Sequence, residues 1–224
     1  LAETASSHLP LVADVAAYRR EGTAADRLSD DLTAAEMDRL SRVPLFDGEA
    51  DLLADIEEAA RAEVDAMDLS HADWLSAFLD QKIAPDDELP ETFVVYTRYP
   101  SVATHLHEAL TEQFGHAAVA LHHTTTEPDL AADAIDRLVE EDACRILVCD
   151  RSALGRADLQ HADHLVHYDL PWDAIEVEQR IGRLDRIGRD GRPLHTHVYL
   201  GPDVDGSLFE AWYQLLRDGI GVFD

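Results

Sequence analysis

The spacing of apolar residues changes character near residue 90. Before that point the periodicity is helical. A helix is expected after Thr33, with Glu36 at the reciprocal capping position. A second is expected from about Gly48 to Met67, with Leu52, Ile56, Ala59, Ala60 and Val64 near helical spacing. A third starts at Ser70 and places Trp74, Leu75, Phe78 and Leu79 on one side. The stretch from Ala84 to Pro90 holds two prolines and three acids and reads as a linker. From Glu91 onward short apolar runs alternate with helical ones. The runs predict strands at Phe93–Tyr96, Ala117–Leu121, Arg145–Cys149, His164–Asp169 and His195–Leu200. Helices are predicted at Ser101–Phe114, Asp129–Glu141, Asp173–Ile187 and Gly206–Arg217, the second opened by Thr126 and Pro128.

Nearly continuous apolar strands separated by helices define an α/β fold, a doubly wound parallel sheet covered by helices on both faces. The division expected is a helical region over 1–88 and an α/β domain over 89–224. In such sheets ligands bind beyond the carboxyl ends of the strands, so the loops after Tyr96, Leu121, Cys149 and Asp169 are the ones to watch.

Charge narrows the partners. The net charge is −28, with seventeen Arg and a single Lys, Lys82. An acidic chain repels nucleic acid as a whole, so any contact with it must come through a local basic patch. No apolar run approaches the twenty or so residues of a membrane span. Cys144 and Cys149 bracket a predicted strand, roughly 16 Å apart at strand rise, too far for a disulfide. Two free thiols fit a reducing, cytoplasmic setting. The start at Leu1, without Met or a signal-like layout, reads as a segment excised from a longer protein.

The densest chemistry lies between Glu178 and Gly188. At 100° per residue, Gln179, Arg183 and Arg186 fall within about 60° of one another. Val177, Ile181 and Leu184 take the opposite side, and Gly182 beside the polar stripe permits close approach of a ligand or a second domain. An amide and two guanidinium groups projecting together suit a phosphate chain, because the planar Arg fork matches phosphate oxygens. The plainer alternative is a basic surface helix balanced by Glu176, Glu178 and Asp185.

The run from Gln179 to Arg186 resembles motif VI of superfamily-two helicases. With His164–Asp173 before it and the aromatic tail Phe209, Trp212, Tyr213 and Phe223 after it, the segment from Glu91 to Asp224 is most similar to the Swi/Snf-type ATPases, within them to the bacterial RapA-like branch. The resemblance implies a RecA-like second lobe. By it, Arg186 is the arginine finger, Arg183 its neighbour on the γ-phosphate, and Gln179 and Gly182 lie against the nucleotide. Thr97 and Arg98 after the first strand, Thr124 after the second and Ser152 after the third are implied contacts to a nucleic-acid backbone. The loop holding Gly155 and Asp158, implied nucleotide contacts, departs from the family. Aligned from one side Gly155 is the expected glycine, and from the other Arg156 replaces it.

No Gly-rich loop ending in Lys and Ser or Thr occurs, because Lys82 has no glycine near it. ATP and Mg²⁺ are therefore expected to be held mainly by an absent first lobe, and the chain alone is expected to be inactive. The implied partners are that first lobe, nucleic acid with double-stranded DNA as the expected track, and RNA polymerase. The alternative is a non-catalytic RecA-like docking module, for example on RNA polymerase. His161, His164 and His167 recur every three residues, but on a strand His164 and His167 face opposite ways, so no metal site is expected.

Overall fold

The computed structural model describes residues 15–20, 47–66, 71–83, 91–124, 127–153, 159–186, 189, 192–200 and 206–223. The chain divides into two compact units, Leu1–His71 and Ala72–Asp224. In the first, residues 15–20 are helical and α1 spans Glu49–Ala66. Arg19 pairs with Glu49 at 2.6 Å and Arg20 with Glu57 at 3.0 Å. The stripe expected to be apolar faces outward, since Leu52, Ile56 and Ala59 are exposed. Glu49 and Leu53 lie on the protected face instead, where the ion pairs form. The helix expected at Thr33 and the linker at Ala84–Pro90 lie outside the described residues.

The second unit begins earlier than the composition shift at residue 89. Helix α2, His71–Lys82, buries Leu75 and Leu79 in the same cluster as Phe93, Val95, Ile146 and Val148. Five strands follow: β1 Phe93–Tyr96, β2 Val119–His122, β3 Ile146–Cys149, β4 His164–His167 and β5 His195–Val198. They form one sheet in the order β2-β3-β1-β4-β5, with every pairing parallel. Between them run α3 Pro100–Phe114, α4 Pro128–Glu140 and α5 Ala174–Leu184; α6 Leu208–Gln214 follows β5 and continues as a π-helical stretch, Leu215–Ile220.

Alternation along β1 sets the two faces. Phe93 and Val95 join Leu106 and Leu110 of α3 on one side. Val94 and Tyr96 join Leu138 of α4 and Leu184 of α5 on the other. A third cluster, Leu170, Val177, Phe209, Leu216 and Val222, seats the C-terminal helices. Both faces of β1, β3 and β4 are buried, as parallel strands require. Among the described residues no helix is long and apolar enough to cross a membrane.

Candidate functional site at the carboxyl edge of the sheet

The register brings Tyr96, Cys149 and His167 level, with His122 beside Cys149. The next residues of each strand make one edge of loops. Two carboxylates organise it, and neither stands among the site residues inferred from the sequence.

Asp150 follows β3 and is fully buried. One oxygen accepts from the Ser152 amide at 2.8 Å and hydroxyl at 2.6 Å. The other accepts from the Thr124 amide at 2.9 Å and from the Thr124 hydroxyl. The loops after β2 and β3 are thus fastened together through one side chain. The Thr124 and Ser152 hydroxyl protons are committed to it, so what these residues offer a ligand is position rather than a free donor.

Asp169 follows β4. Its Oδ2 accepts from the Thr97 hydroxyl at 2.5 Å and the Arg98 amide at 2.7 Å. Its Oδ1 accepts from Arg180 Nη2 at 3.1 Å, and its carbonyl from Arg180 Nη1 at 2.6 Å. Thr97 is completely buried, and its oxygen also accepts from the Tyr99 amide. It is therefore a support for the loop and presents no surface to nucleic acid, contrary to its expected role. Thr97 extends the β1 alternation by one residue, which is why it points inward. Arg98 remains half-buried at the rim.

Helix α5 begins with Asp173, whose side chain accepts from the Ile175 amide. Its inner face holds Val177, Leu184 and Arg180, a guanidinium with no exposed surface. Arg180 also reaches Glu176 at 3.1 Å and lies 4.2 Å above the Tyr96 ring. On the outer face Gln179 and Gly182 are exposed and Arg183 is half-buried. A Cβ built on Gly182 would meet no atom within 4 Å.

The helix stops at Leu184, three residues short of the predicted end, so the exposed Arg186 lies just beyond it. The backbone leaves helical geometry at Asp185, with φ −88° and ψ 84°. The Arg189 guanidinium donates to the carbonyls of Gln160, Leu184, Arg192 and Pro193, so one carbonyl left open at the helix end finds a partner. Gly155, Asp158 and Thr126 lie outside the described residues.

Burial tunes the strand residues nearby. His167 is fully enclosed, its ring nitrogens unpartnered among the described residues. Burial, reinforced by the Arg180 charge, pushes it down to about 3, so it is neutral. Burial drives the Cys149 thiol far above its ordinary range, with Asp150 adding to the effect. This buried thiol is no nucleophile at neutral pH. At the other end of the sheet His164 stacks on Phe93 and bonds Glu91 and His197. His164 and His167 sit on opposite faces, in separate environments.

The helicase conserved C-terminal domain matches residues 74–188, from within α2 to just past α5. The chain belongs to this family. It has relatives in the RNA polymerase-associated protein RapA of Vibrio campbellii and of Vibrio vulnificus. The first is 30% identical over 156 residues, covering 69% of this chain and 15% of that protein. The second is 33% identical over 135 residues, covering 59% and 13%. This helicase domain thus spans less than a sixth of those relatives' length. Two solved structures share its fold. The C-terminal part of the Fun30 ATPase domain has a TM-score of 0.54 at 14% identity, covering 90% of this chain and 64% of that one. Domain 2 of the DEAD-box helicase Mss116p, bound to an RNA duplex, has a TM-score of 0.54 at 15% identity, covering 67% and 56%. The RecA-like fold inferred from the resemblance is the one observed.

Proposed function

We propose that the chain is the second motor lobe of an ATP-dependent nucleic-acid translocase, acting on nucleotide held between it and a first lobe. The observation that carries this reading is the outer face of α5 and its exit. Gln179, Gly182, Arg183 and Arg186 are presented outward there, while Arg180 from the same helix is locked into the sheet edge. A guanidinium that must meet a developing phosphate charge has to be accessible yet rigidly backed. Arg183 has that backing from α5. Arg186, one residue past the helix cap, has it from the turn that the Arg189 amide closes on the Arg186 carbonyl at 3.1 Å.

In this reading Arg186 is the arginine finger and Arg183 its neighbour, with Gln179 and Gly182 against the nucleotide. ATP and Mg²⁺ are held mainly by the first lobe, and this chain supplies cationic charge to the γ-phosphate as it transfers. Arg98 and the loops carrying Thr124 and Ser152 line the track, for which duplex DNA is the expected substrate. Gly155 and Asp158 keep their implied nucleotide roles, and RNA polymerase is the partner suggested by the RapA relatives. In the full-length protein, Arg186→Ala should lower ATP turnover by about 10³-fold or more while nucleotide affinity changes little. Steady-state hydrolysis and equilibrium binding of a fluorescent ATP analogue separate the two. Turnover at the unmodified rate would remove the finger assignment and favour a docking module.

A further inference from the structure

One carboxylate at the sheet edge belongs to two structures at once. Asp169 Oδ2 holds the Thr97 hydroxyl and the Arg98 amide, and Oδ1 holds Arg180 of α5. The Asp169 carbonyl takes a second Arg180 bond, and the Arg180 guanidinium lies on the ring of Tyr96, the residue before Thr97. The loop after β1 and helix α5 therefore share a buried ionic joint in which every contact depends on the same few atoms. Arg180 precedes Arg183 by one helical turn, so a displacement at Arg180 is carried by rigid backbone to Arg183. Asp150 offers a contrast. Its bonds to Thr124 and Ser152 tie two loops to each other without involving α5.

We propose that Asp169 is a positioning residue that couples engagement of nucleic acid at the Arg98 loop to placement of the α5 guanidinium groups. The inference rests on the motor reading and names the joint through which it operates. When a backbone phosphate draws on the Arg98 loop, the loop shifts against Asp169. Asp169 then re-seats Arg180, and α5 moves with it. Breaking one partner of a buried ion pair is costly even where replacing the whole pair is not, so the partners constrain one another's position, which is what such a joint requires. Coupling of this kind is a free-energy difference between two bound states and is measured as a ratio.

The test uses the full-length protein, with ATP turnover measured with and without a blunt DNA duplex, alongside affinity for a fluorescent ATP analogue. Asp169→Asn keeps the size of the side chain but cannot accept on both sides, because its amide nitrogen must face either Arg98 or Arg180. Thr97→Val removes the hydroxyl from the same joint, and Thr97→Ser retains it. In Asp169→Asn and Thr97→Val the ratio of stimulated to unstimulated turnover should fall about tenfold, while Thr97→Ser keeps the unmodified ratio. Nucleotide affinity should stay within about twofold in all three, and the double variant should lose no more coupling than Asp169→Asn alone.

A full stimulation ratio in Asp169→Asn or Thr97→Val overturns the inference and leaves the motor reading intact. So does a parallel loss of nucleotide affinity, or a Thr97→Ser variant as uncoupled as Thr97→Val. If Asp169→Asn does not fold, the Thr97 pair decides. An unmodified protein indifferent to duplex DNA overturns the motor reading, and the inference with it.

Discussion

Arg180 has no solvent exposure, yet it is charged and held by Asp169, Glu176 and the Tyr96 ring. Truncating it removes the guanidinium's bonds and leaves a cavity against the Tyr96 ring, while Asp169 keeps Thr97 and Arg98 as donors, so the loss should lie toward the low end of the about 3–5 kcal/mol typical of a broken buried pair. Arg180→Ala should therefore destabilise the second unit by about that amount, read as a shift in the denaturant midpoint. A loss under about 1 kcal/mol would mean the network relaxes easily into water. Arg180 was open to discovery in the sequence. At 100° per residue it lies about 40° from Leu184 on the helical wheel, closer to the buried side than to Gln179. Its charge weighed against burial, because Arg is rarely enclosed unless paired, and its pairing partners come from another loop. Asp150 and Asp169 escaped for the same reason. Their roles depend on which loops the sheet brings level, a matter of strand order rather than local pattern.

At the scale of the element, hydrophobic pattern located the five described strands and helices α3 to α6, with β1 placed to the residue. The errors are at the ends. Predicted β4 and β5 run two residues too far because each strand of the ladder has four residues in register with its neighbours. Beyond His167 the chain turns so that Asp169 can serve the loop after β1. Helix α5 is likewise shorter than its pattern, since periodicity continues to Ile187 while the backbone leaves helical geometry at Asp185. Its start is better marked: Asp173 accepts from the Ile175 amide at 2.9 Å. Asp173→Ala should cost about 1 kcal/mol, and Asp173→Asn much less, in the same denaturation assay. Equal losses in the two variants would argue that charge rather than capping is the contribution.

For the whole molecule, fold class and family were legible because buried parallel strands leave continuous apolar runs and motif VI is dense in Arg. The extent of the α/β unit was less so. Leu75 and Leu79 of α2 pack with strand residues, yet the composition around them matches the acidic helical region. Acidity also sets the background against which pH acts. His167 is neutral in the folded state down to about pH 3, whereas in the unfolded chain it takes a proton near the ordinary histidine value. Between those values the unfolded state binds more protons, so stability rises with pH and is lost as pH falls below about 6.5. The contribution is at most about 1.4 kcal/mol per pH unit from this one residue. Unfolding free energies of the unmodified chain and His167→Phe, measured from pH 4 to 7, should diverge by about that slope. Parallel profiles would show that His167 is protonated in both states or in neither.

Gly182 lies in the last turn of α5, where a glycine gives up helix stability of at most about 0.5–1 kcal/mol relative to Ala, from backbone entropy. Among the described residues, none outside its own helix would meet a methyl group placed there. The bare backbone there is a strip of exposed main chain beside Gln179 and Arg183. On the motor reading, that strip is where a nucleotide or a first lobe would approach α5 most closely, and a bulky residue at position 182 would hold it off.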